Sequence, residues 1–469
     1  MLQGLTTRSD DTEPALHTHV KWTVDAALQH VGFGRFQRRV LAAAILMTYT
    51  YGYLALLPVL LLPRLTSWRL SNADDAVVES AFFAGQFAGP IFGFISDRVG
   101  RRACARWLVV ASFALGPAHC ICTNIHELVA LRALSGILSG GMVVTTFLLG
   151  MELCPVSRRS WVTTFGFAVG WTGATLVLVV VDWASADRAW QWLALGGLVP
   201  TPLALRRLSE SPQYLLAKGR AAEALTVLRE IGVANGEPLP VDAVLSPDDA
   251  PMAALPQPGR SQRSGLRCWS GRRPCLAGAR LRRIHQLLPA LTLAGAAWLG
   301  STGNYNGSVF WPVHLASERR LRAALGALLE LPAYACVPCL TARLGPARCW
   351  ALFLCLGAIA WALLTVMGVE HSFAAPLILL VRFAGTGATT VCYNACSDAF
   401  PTAARGLGLG LASVSGKCGA VLAPLLIHLA PSSTGATGVL AVLAGASTCC
   451  ALGLSRRTPD ASPAPSSGE

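Results

Sequence analysis

One lysine interrupts an otherwise apolar stretch in the C-terminal part of the chain. The sequence GLGLGLASVSGKCGAVLAPLL, residues 406–426, is apolar or small at nearly every position except Lys417. A charged side chain at the centre of a membrane-spanning helix costs about 2.5 to 3.5 kcal/mol on insertion scales. Lys417 is too far from either end of the stretch to reach the membrane surface easily. It is therefore expected to face a partner or a water-filled cavity rather than lipid.

A carboxylate is placed in a similar way. Glu330 lies inside the apolar stretch 321–341, where an unpaired carboxylate is costly and is a functional candidate by default. Two interpretations of Lys417 remain open at this point. Either it lines a central cavity, or it forms a structural pair with Glu330 that holds the C-terminal part of the protein together.

The elements that must position these residues are apolar helices. Of the 469 residues, 53% are hydrophobic and 13% charged, and the mean hydropathy is +0.50. One or two water-soluble domains do not carry this much apolar surface. Stretches of about 20 residues, the length that crosses ~30 Å of hydrocarbon, recur twelve times. They are predicted at 38–62, 77–96, 104–123, 128–150, 161–182, 189–205, 286–310, 321–341, 347–368, 374–396, 406–429 and 436–454.

The basic residues of the chain orient these spans. The net charge of +13 follows the positive-inside rule, and so does not indicate a nucleic-acid partner. Alternation puts both termini in the cytoplasm, and the cluster of Arg319, Arg320 and Arg322 beside Glu318 is the one local exception. No cleavable signal peptide is expected, because the first 37 residues are polar.

Neither a metal nor a cofactor is expected. Most of the 15 cysteines lie inside spans, where a thiol is usually a small buried hydrophobe. Cys392 and Cys396 are one helical turn apart, but no His or further Cys completes a metal site. The sequence also brings together no nucleophile with a base, and it has no nucleotide-binding loop, so an enzyme is not predicted.

The two halves of the chain resemble each other at an offset near 246 residues. GFISDRVGRR (93–102) ends the second span and CLTARLGPAR (339–348) ends the eighth, while ALRALSG (130–136) and LVRFAGTG (380–387) open the fourth and tenth spans. Duplicated six-helix halves place a binding site at their interface and alternate its access. The predicted organisation is a cytoplasmic segment 1–37, a six-helix half 38–205, a linker 206–285, a second half 286–454 and a cytoplasmic tail 455–469.

Two parts of the linker differ in composition. Residues 211–235 are predicted to form an amphipathic helix, and residues 260–283 contain eight arginines and no acidic residue. The arginine-rich part is either a binding segment for anionic lipid head groups or a disordered loop that sets the topology.

Several motifs resemble those of the major facilitator superfamily. The pattern G-x-x-x-D-R-x-G-R-R after the second span is similar to the signature of that superfamily, and ESPQYLLAKGR (210–220) resembles the motif after span six of its organic cation/anion/zwitterion transporters, solute carrier family 22. Further matches are GRFQ (34–37), RAWQWL (188–193), ELPA (330–333) and SDAFPTAARGLGLG (397–410). The resemblance implies an all-α, twelve-helix major facilitator fold that moves small organic ions by alternating access.

The resemblance also implies charge pairs that hold the cytoplasmic side shut in one state and break in the other. The alternative is that these residues only set the topology. The gating candidates are Asp97, Arg98, Arg101, Arg102, Glu152, Arg158, Asp398 and Arg405.

The same resemblance assigns Lys417 to a charge-selecting position, typically Arg in anion carriers and Asp in cation carriers, so organic anions are predicted. Tyr305 in GNYNGS (303–308) is expected either to stack on the substrate or to anchor the helix at the membrane surface, and Glu330 completes the substrate-binding candidates. Asn306 begins an N-G-S glycosylation sequon close to the membrane. The other functions left open are an organic cation or zwitterion carrier and a non-transporting receptor or scaffold.

One feature departs from the resemblance. LPRLTSWRLSNADDAVVES leads almost directly from the first span to the second, where the family usually has a long, cysteine-rich, glycosylated loop. The expected location is the plasma membrane, although delivery there by the family's usual route is in question.

Overall fold

The structure, a computed structural model, describes residues 21–185, 189–196, 208–246, 276–311, 316–400 and 405–456. Within this part of the chain it is helical apart from one short parallel ribbon. Strand β1 (Lys21–Trp22) pairs with β2 (Val244–Leu245) and so joins the N-terminal segment to the linker. The prediction of an all-α membrane protein is confirmed.

The N-terminal half and the linker are built from ten helices in the described ranges. They are α1 (Val24–His30), α2 (Arg35–Leu61), α3 (Asn72–Gly85), α4 (Gly89–Val99), α5 (Arg101–Ala118), α6 (Ile125–Glu152), α7 (Arg159–Ala184), α8 (Gln191–Gly196), α9 (Pro212–Ala217) and α10 (Ala221–Asn235). A 3-10 turn over Gln86–Ala88 links α3 to α4, so that the two cross the membrane as one span.

The C-terminal half repeats the arrangement with longer, less interrupted helices. They are α11 (Leu276–Val309), α12 (Ala316–Leu344), α13 (Pro346–Met367), α14 (Ala374–Ala399), α15 (Arg405–Leu429) and α16 (Ser433–Ser455). Ten spans in the described residues are long and apolar enough to cross a membrane. Most of the predicted sixth span, 189–205, lies outside the described residues, and α11 begins ten residues before the predicted start at 286.

Local sequence explains where the helices begin and end. Ser71 caps α3 by accepting a hydrogen bond from the backbone N–H of Asp74, while the Asp74 carboxylate accepts one from the Ser71 N–H. Gly100 (φ +109°) separates α4 from α5, and Gly345 (φ +77°) separates α12 from α13. Both glycines adopt a backbone that other residues rarely adopt, which places sharp turns at repeat-related positions.

Two helix pairs join the halves. α15 packs along α3, and α12 packs along α7. We call the end of the bundle that carries Gly100 the motif end, and the other end, which carries Ser71, the opposite end. Within the described residues α4 has no comparable packing against α15. The halves are therefore in close contact from the middle of the bundle toward the opposite end.

Candidate functional site

A buried ion pair lies at the centre of the C-terminal half. The guanidinium of Arg382 on α14 is 2.6 Å from the Glu330 carboxylate on α12, and neither side chain is more than 8% exposed. The hydroxyl of Tyr305 on α11 donates to Glu330 Oε1 at 2.8 Å, and its ring lies 4.5 Å from the Arg382 guanidinium carbon. Three helices thus satisfy a carboxylate and a guanidinium that would each be costly alone.

The N-terminal half reaches this pair through α7. The indole N–H of Trp171 donates to the Tyr305 hydroxyl, and the Thr172 hydroxyl lies 3.5 Å from Glu330 Oε2. Both residues are buried. The polar centre of the C-terminal half is therefore part of the interface between the halves.

Lys417 lies on the other side of the same interface. Its ammonium donates to Gln86 Oε1 at 2.5 Å, and Gln86 Nε2 in turn lies 3.4 Å from the Tyr51 hydroxyl. The Tyr51 ring packs on Trp171 with ring centroids 5.1 Å apart. We call Lys417, Gln86, Tyr51, Trp171, Tyr305, Glu330 and Arg382 together the central cluster.

The central cluster carries a net positive charge. Arg382 neutralises Glu330, whereas the hydrogen-bond partner of Lys417 is a neutral amide. Among the described residues, no carboxylate lies within ion-pair distance of Lys417. Within the described residues, the charge of its ammonium is therefore not cancelled by a carboxylate.

A pair of aromatic rings joins the halves nearer the motif end. Phe147 on α6 and Tyr393 on α14 stack across the halves with centroids 5.9 Å apart, yet they are 37% and 42% exposed. Lys417 itself is half-buried. The halves therefore meet at this ring pair without covering it completely.

The structure decides between several alternatives that the sequence leaves open. Lys417 and Glu330 do not pair, because each has a different partner on a different helix. Tyr305 is buried and hydrogen-bonded at the interface, so it is not a membrane-surface anchor. The N-G-S sequon at Asn306 is not a glycosylation site in this structure. Asn306 is 5% exposed and donates to the Thr302 carbonyl at 2.8 Å, which leaves no access for a glycan.

The motif end contains the first group of predicted gating charges. Arg101 donates to Asp97 one turn earlier and to Glu152 Oε2 at the end of α6, with a distance of 3.2 Å. Spans two, three and four of the N-terminal half are thereby tied together. The structure brings these three residues together within one half, without a partner from the other half among the described residues.

The linker is hydrogen-bonded to the segment that carries this group. Glu210 accepts hydrogen bonds from the Arg102 backbone N–H at 3.0 and 3.2 Å, so a carboxylate lies at the first turn of α5, where a helix favours negative charge. The Tyr214 hydroxyl donates to the Arg98 carbonyl at 3.1 Å. The side chain of Arg98 is exposed, so in this group Arg98 acts through its backbone carbonyl.

The remaining gating candidates occupy different places. Arg158 is exposed, and its neighbour Arg159 pairs with Asp25 of α1 at 2.5 Å. Asp398 is exposed at the end of α14, and Arg405 begins α15 with its side chain outside the described set.

The opposite end contains ion pairs that the sequence did not single out. Asp182 on α7 is 2.6 Å from Arg64, which follows α2, and 2.5 Å from Arg320 on α12. The second contact joins the two halves. It also accounts for one member of the arginine cluster that departs from the positive-inside rule.

One residue that carries this geometry could have been found from the sequence. Arg382 lies within a predicted span, and an ionisable residue there is a functional candidate. No sequence pattern marks Gln86, whose role depends on which helix packs against α15.

The described residues contain no group of three or more His, Cys, Asp or Glu that could hold a metal. The central cluster instead consists of cationic, amide, hydroxyl and aromatic groups between two helix bundles. Such a set can bind an organic ion by charge, hydrogen bonds and stacking.

Comparison with known sequences gives consistent matches. Residues 39–287 match the family model described as "Sugar (and other) transporter". Organic cation/carnitine transporter 7 of Arabidopsis thaliana is 28% identical over 448 residues, which cover 87% of this chain and 88% of that protein. Solute carrier family 22 member 7 of Rattus norvegicus is 28% identical over 368 residues, 77% of this chain and 66% of that protein. Organic cation/carnitine transporter 2 of Homo sapiens is 25% identical, over 78% of this chain and 64% of that protein.

Comparison with solved structures shows the same architecture. The E. coli xylose transporter XylE, in a partially occluded inward-open conformation, superposes with a TM-score of 0.65 at 16% identity. The match covers 90% of this chain and 98% of the xylose transporter. At this identity the similarity shows the fold alone.

Proposed function

This chain belongs to the sugar (and other) transporter family and is a multi-pass membrane transporter with the major facilitator fold, and we propose that it carries small organic anions by alternating access. The observation that carries the proposal is the charge balance of the central cluster. Arg382 cancels Glu330, and Lys417 remains with a neutral partner. A site with one uncancelled ammonium attracts an anion and disfavours a cation.

The remaining members of the central cluster suit an organic ligand. Tyr51, Trp171 and Tyr305 form a row of packed aromatic rings, and Tyr51 is linked to Lys417 through Gln86. A ligand with an aromatic or aliphatic body and one carboxylate would place its charge on Lys417 and its apolar body against these rings. The guanidinium fork that binds carboxylates in two places is absent at Lys417 itself, so a single charge-assisted hydrogen bond is expected.

The contacts between the halves support an alternating-access cycle. The basic residues of the motif end place it in the cytoplasm under the positive-inside rule. The halves are joined by α3 with α15 and by α7 with α12. Toward the motif end, within the described residues, α4 has no comparable packing against α15, and the Phe147 and Tyr393 rings that meet there stay partly exposed. We therefore assign the structure to a state that is closed on the outside and partly open to the cytoplasm.

A matched pair of probes tests the proposal. Purified protein in liposomes is given a panel of labelled organic acids and amines of matched size, benzoate and benzylammonium among them. We expect uptake of acids over amines, and a loss of about tenfold or more in acid uptake for Lys417→Gln, corresponding to about 1.4 kcal/mol. Lys417→Arg keeps the charge and should keep most of the uptake.

The control variant is Lys218→Gln, which removes an exposed lysine of the linker. It should transport like the wild type. Uptake of amines over acids would instead favour the organic cation or zwitterion carrier, in line with the names of two relatives. Absence of flux for every probe, with correctly inserted protein, would favour a receptor or scaffold.

A further inference from the structure

The duplication places the same two charges in each half, but their partners differ. Glu79 and Glu330 lie on repeat-related spans, 251 residues apart, and Arg132 and Arg382 are 250 residues apart. In the C-terminal half, the carboxylate and the guanidinium pair with each other at 2.6 Å. The same pair would be expected in the N-terminal half.

In the N-terminal half, Arg132 is occupied by backbone carbonyls instead. Its guanidinium donates to Leu54 and Ala55 of α2 and lies 3.5 Å from the Val78 carbonyl. It also stacks over the Phe82 ring at 4.7 Å. Arg132 is fully buried by these contacts. The partner of Glu79 is therefore a different residue.

That partner comes from the other half. His428 Nε2 on α15 lies 3.1 Å from Glu79 Oε2, and the two side chains are only 9% and 6% exposed. Closer to the motif end, the Ser80 hydroxyl donates to the Val421 carbonyl at 2.9 Å. The buried Glu79–His428 contact is therefore part of the α3–α15 interface that closes the opposite end.

We propose that Glu79 and His428 form a proton-binding site, and that one proton is taken up from the outside when the opposite end closes. The proposal rests on the alternating-access function proposed above and names the ion that accompanies closure. It concerns residues distinct from the central cluster.

The charges around the pair determine which proton state suits the closed interface. Glu79 and Asp75 on α3 face His428, and Arg132 on α6 lies near Glu79. With His428 protonated, two carboxylates face two cations and the group is neutral. With His428 neutral, the group holds one uncompensated negative charge in a buried interface, which is costly.

Opening the interface removes this requirement. Separation of α3 from α15 exposes both side chains to water, where an imidazole titrates near pH ~6.5 and a glutamate near ~4.3. Above pH ~7 the opened pair consequently releases the proton of His428. The closed state therefore binds one proton more than the open state. By linkage, the ratio of closed to open protein falls by up to about tenfold for each unit by which the pH rises.

A distance measurement on the full-length protein in lipid nanodiscs tests this without any substrate. Spin-labelled unnatural amino acids at Ala73 and Leu429, both exposed at the opposite end, report the separation of α3 and α15. Between pH 6 and 8.5, we expect the short-distance population of the wild type to fall with rising pH. In His428→Gln and Glu79→Gln the population should no longer depend on pH.

Two further variants keep the test decisive. His428→Arg supplies a permanent cation and should stay closed over the whole range, which also shows that this position tolerates substitution. His371→Gln removes an exposed histidine and should behave like the wild type.

A wild-type distance distribution that is independent of pH, or one whose dependence survives in His428→Gln, would overturn the proposal. Because no transport is measured, a failure of the anion-carrier proposal in liposomes is recognised separately.

Discussion

Arg382 and Glu330 illustrate how single residues stabilise this interface. Each is an ionisable group within a membrane span, and each is satisfied by the other together with Tyr305. Removal of one partner leaves the other charge buried without compensation, whereas removal of both does not.

This asymmetry gives a prediction at the residue scale. Arg382→Met should lower the free energy of unfolding by about 3 to 5 kcal/mol, because the Glu330 carboxylate then lacks its cation. The double variant Arg382→Met with Glu330→Gln should recover much of that loss. Thermal unfolding in detergent measures the order of the three melting temperatures.

The exposed Arg158 provides the control, since Arg158→Met should leave the melting temperature unchanged. If the double variant were as unstable as, or less stable than, Arg382→Met, the pair would not be the reason for the burial of these charges.

The sequence identified some of these residues but not their partners. Lys417 and Glu330 stand out because a charged group in an apolar span needs an explanation, and Tyr305 is marked only by the family resemblance of GNYNGS (303–308). Their partners could not be read from the sequence, because a pair between Lys417 and Glu330 was also chemically reasonable. In the structure Lys417 donates to Gln86, and Glu330 pairs with Arg382. Partner choice depends on which helices touch, and composition carries no information on that.

At the scale of elements, glycines decide how closely two spans approach. A Cβ atom at Gly136 on α6 would lie 1.9 Å from the Phe82 carbonyl oxygen, and one at Gly85 on α3 would lie 2.1 Å from the Ala133 carbonyl oxygen. The backbones of α3 and α6 are thus in direct contact, as is common for small residues at membrane helix interfaces.

This contact makes a prediction with an internal control. Gly136→Ala should cost about 1 to 3 kcal/mol, because the carbonyl that blocks the new methyl group belongs to a packed backbone. Gly173→Ala on α7 has no neighbouring atom within 4 Å, and its stability should be unchanged or slightly higher. Thermal unfolding of the two variants side by side decides the matter, and equal stabilities would contradict the close contact.

Most helices were predictable at this scale and their irregularities were not. Hydropathy placed eleven of the twelve spans on observed helices, because each must satisfy its own backbone within lipid. The split of the second span at Gln86–Ala88 was not predicted. The motif ESPQYLLAKGR (210–220) was recognised in the sequence. Its hydrogen bond to the membrane domain, from the Arg102 backbone N–H to Glu210, depends on the turn at Gly100 and was not predicted.

Two glutamates of the linker, Glu210 and Glu223, differ in what they contact. Glu210 is held at the start of α5, whereas Glu223 is exposed and paired with Arg220 at 2.6 Å. Hydrogen bonds from Arg220 hold the pKa of Glu223 below its ordinary value. Such an exposed pair contributes little to stability. We therefore expect Glu210, rather than Glu223, to attach the linker to the motif end.

At the scale of the whole molecule, the two halves are held together by contacts of different kinds. Asp182 with Arg320 and Glu79 with His428 join them near the opposite end, and the central cluster joins them at mid-membrane. The ion pairs of Arg101 with Asp97 and Glu152 stay within the N-terminal half, which is the arrangement expected when the motif end is not locked. A carrier needs contacts that form and break in this way.

The central claim is that the charge at position 417 selects the charge of the substrate. The most direct measurement is the ratio of organic-acid to organic-amine uptake in liposomes for the wild type and for Lys417→Asp, with Lys218→Asp as the matched control. We expect a ratio above one for the wild type and the control, and a ratio lowered by at least about tenfold, equivalent to about 1.4 kcal/mol, for Lys417→Asp. An unchanged ratio in a variant that still transports would contradict it.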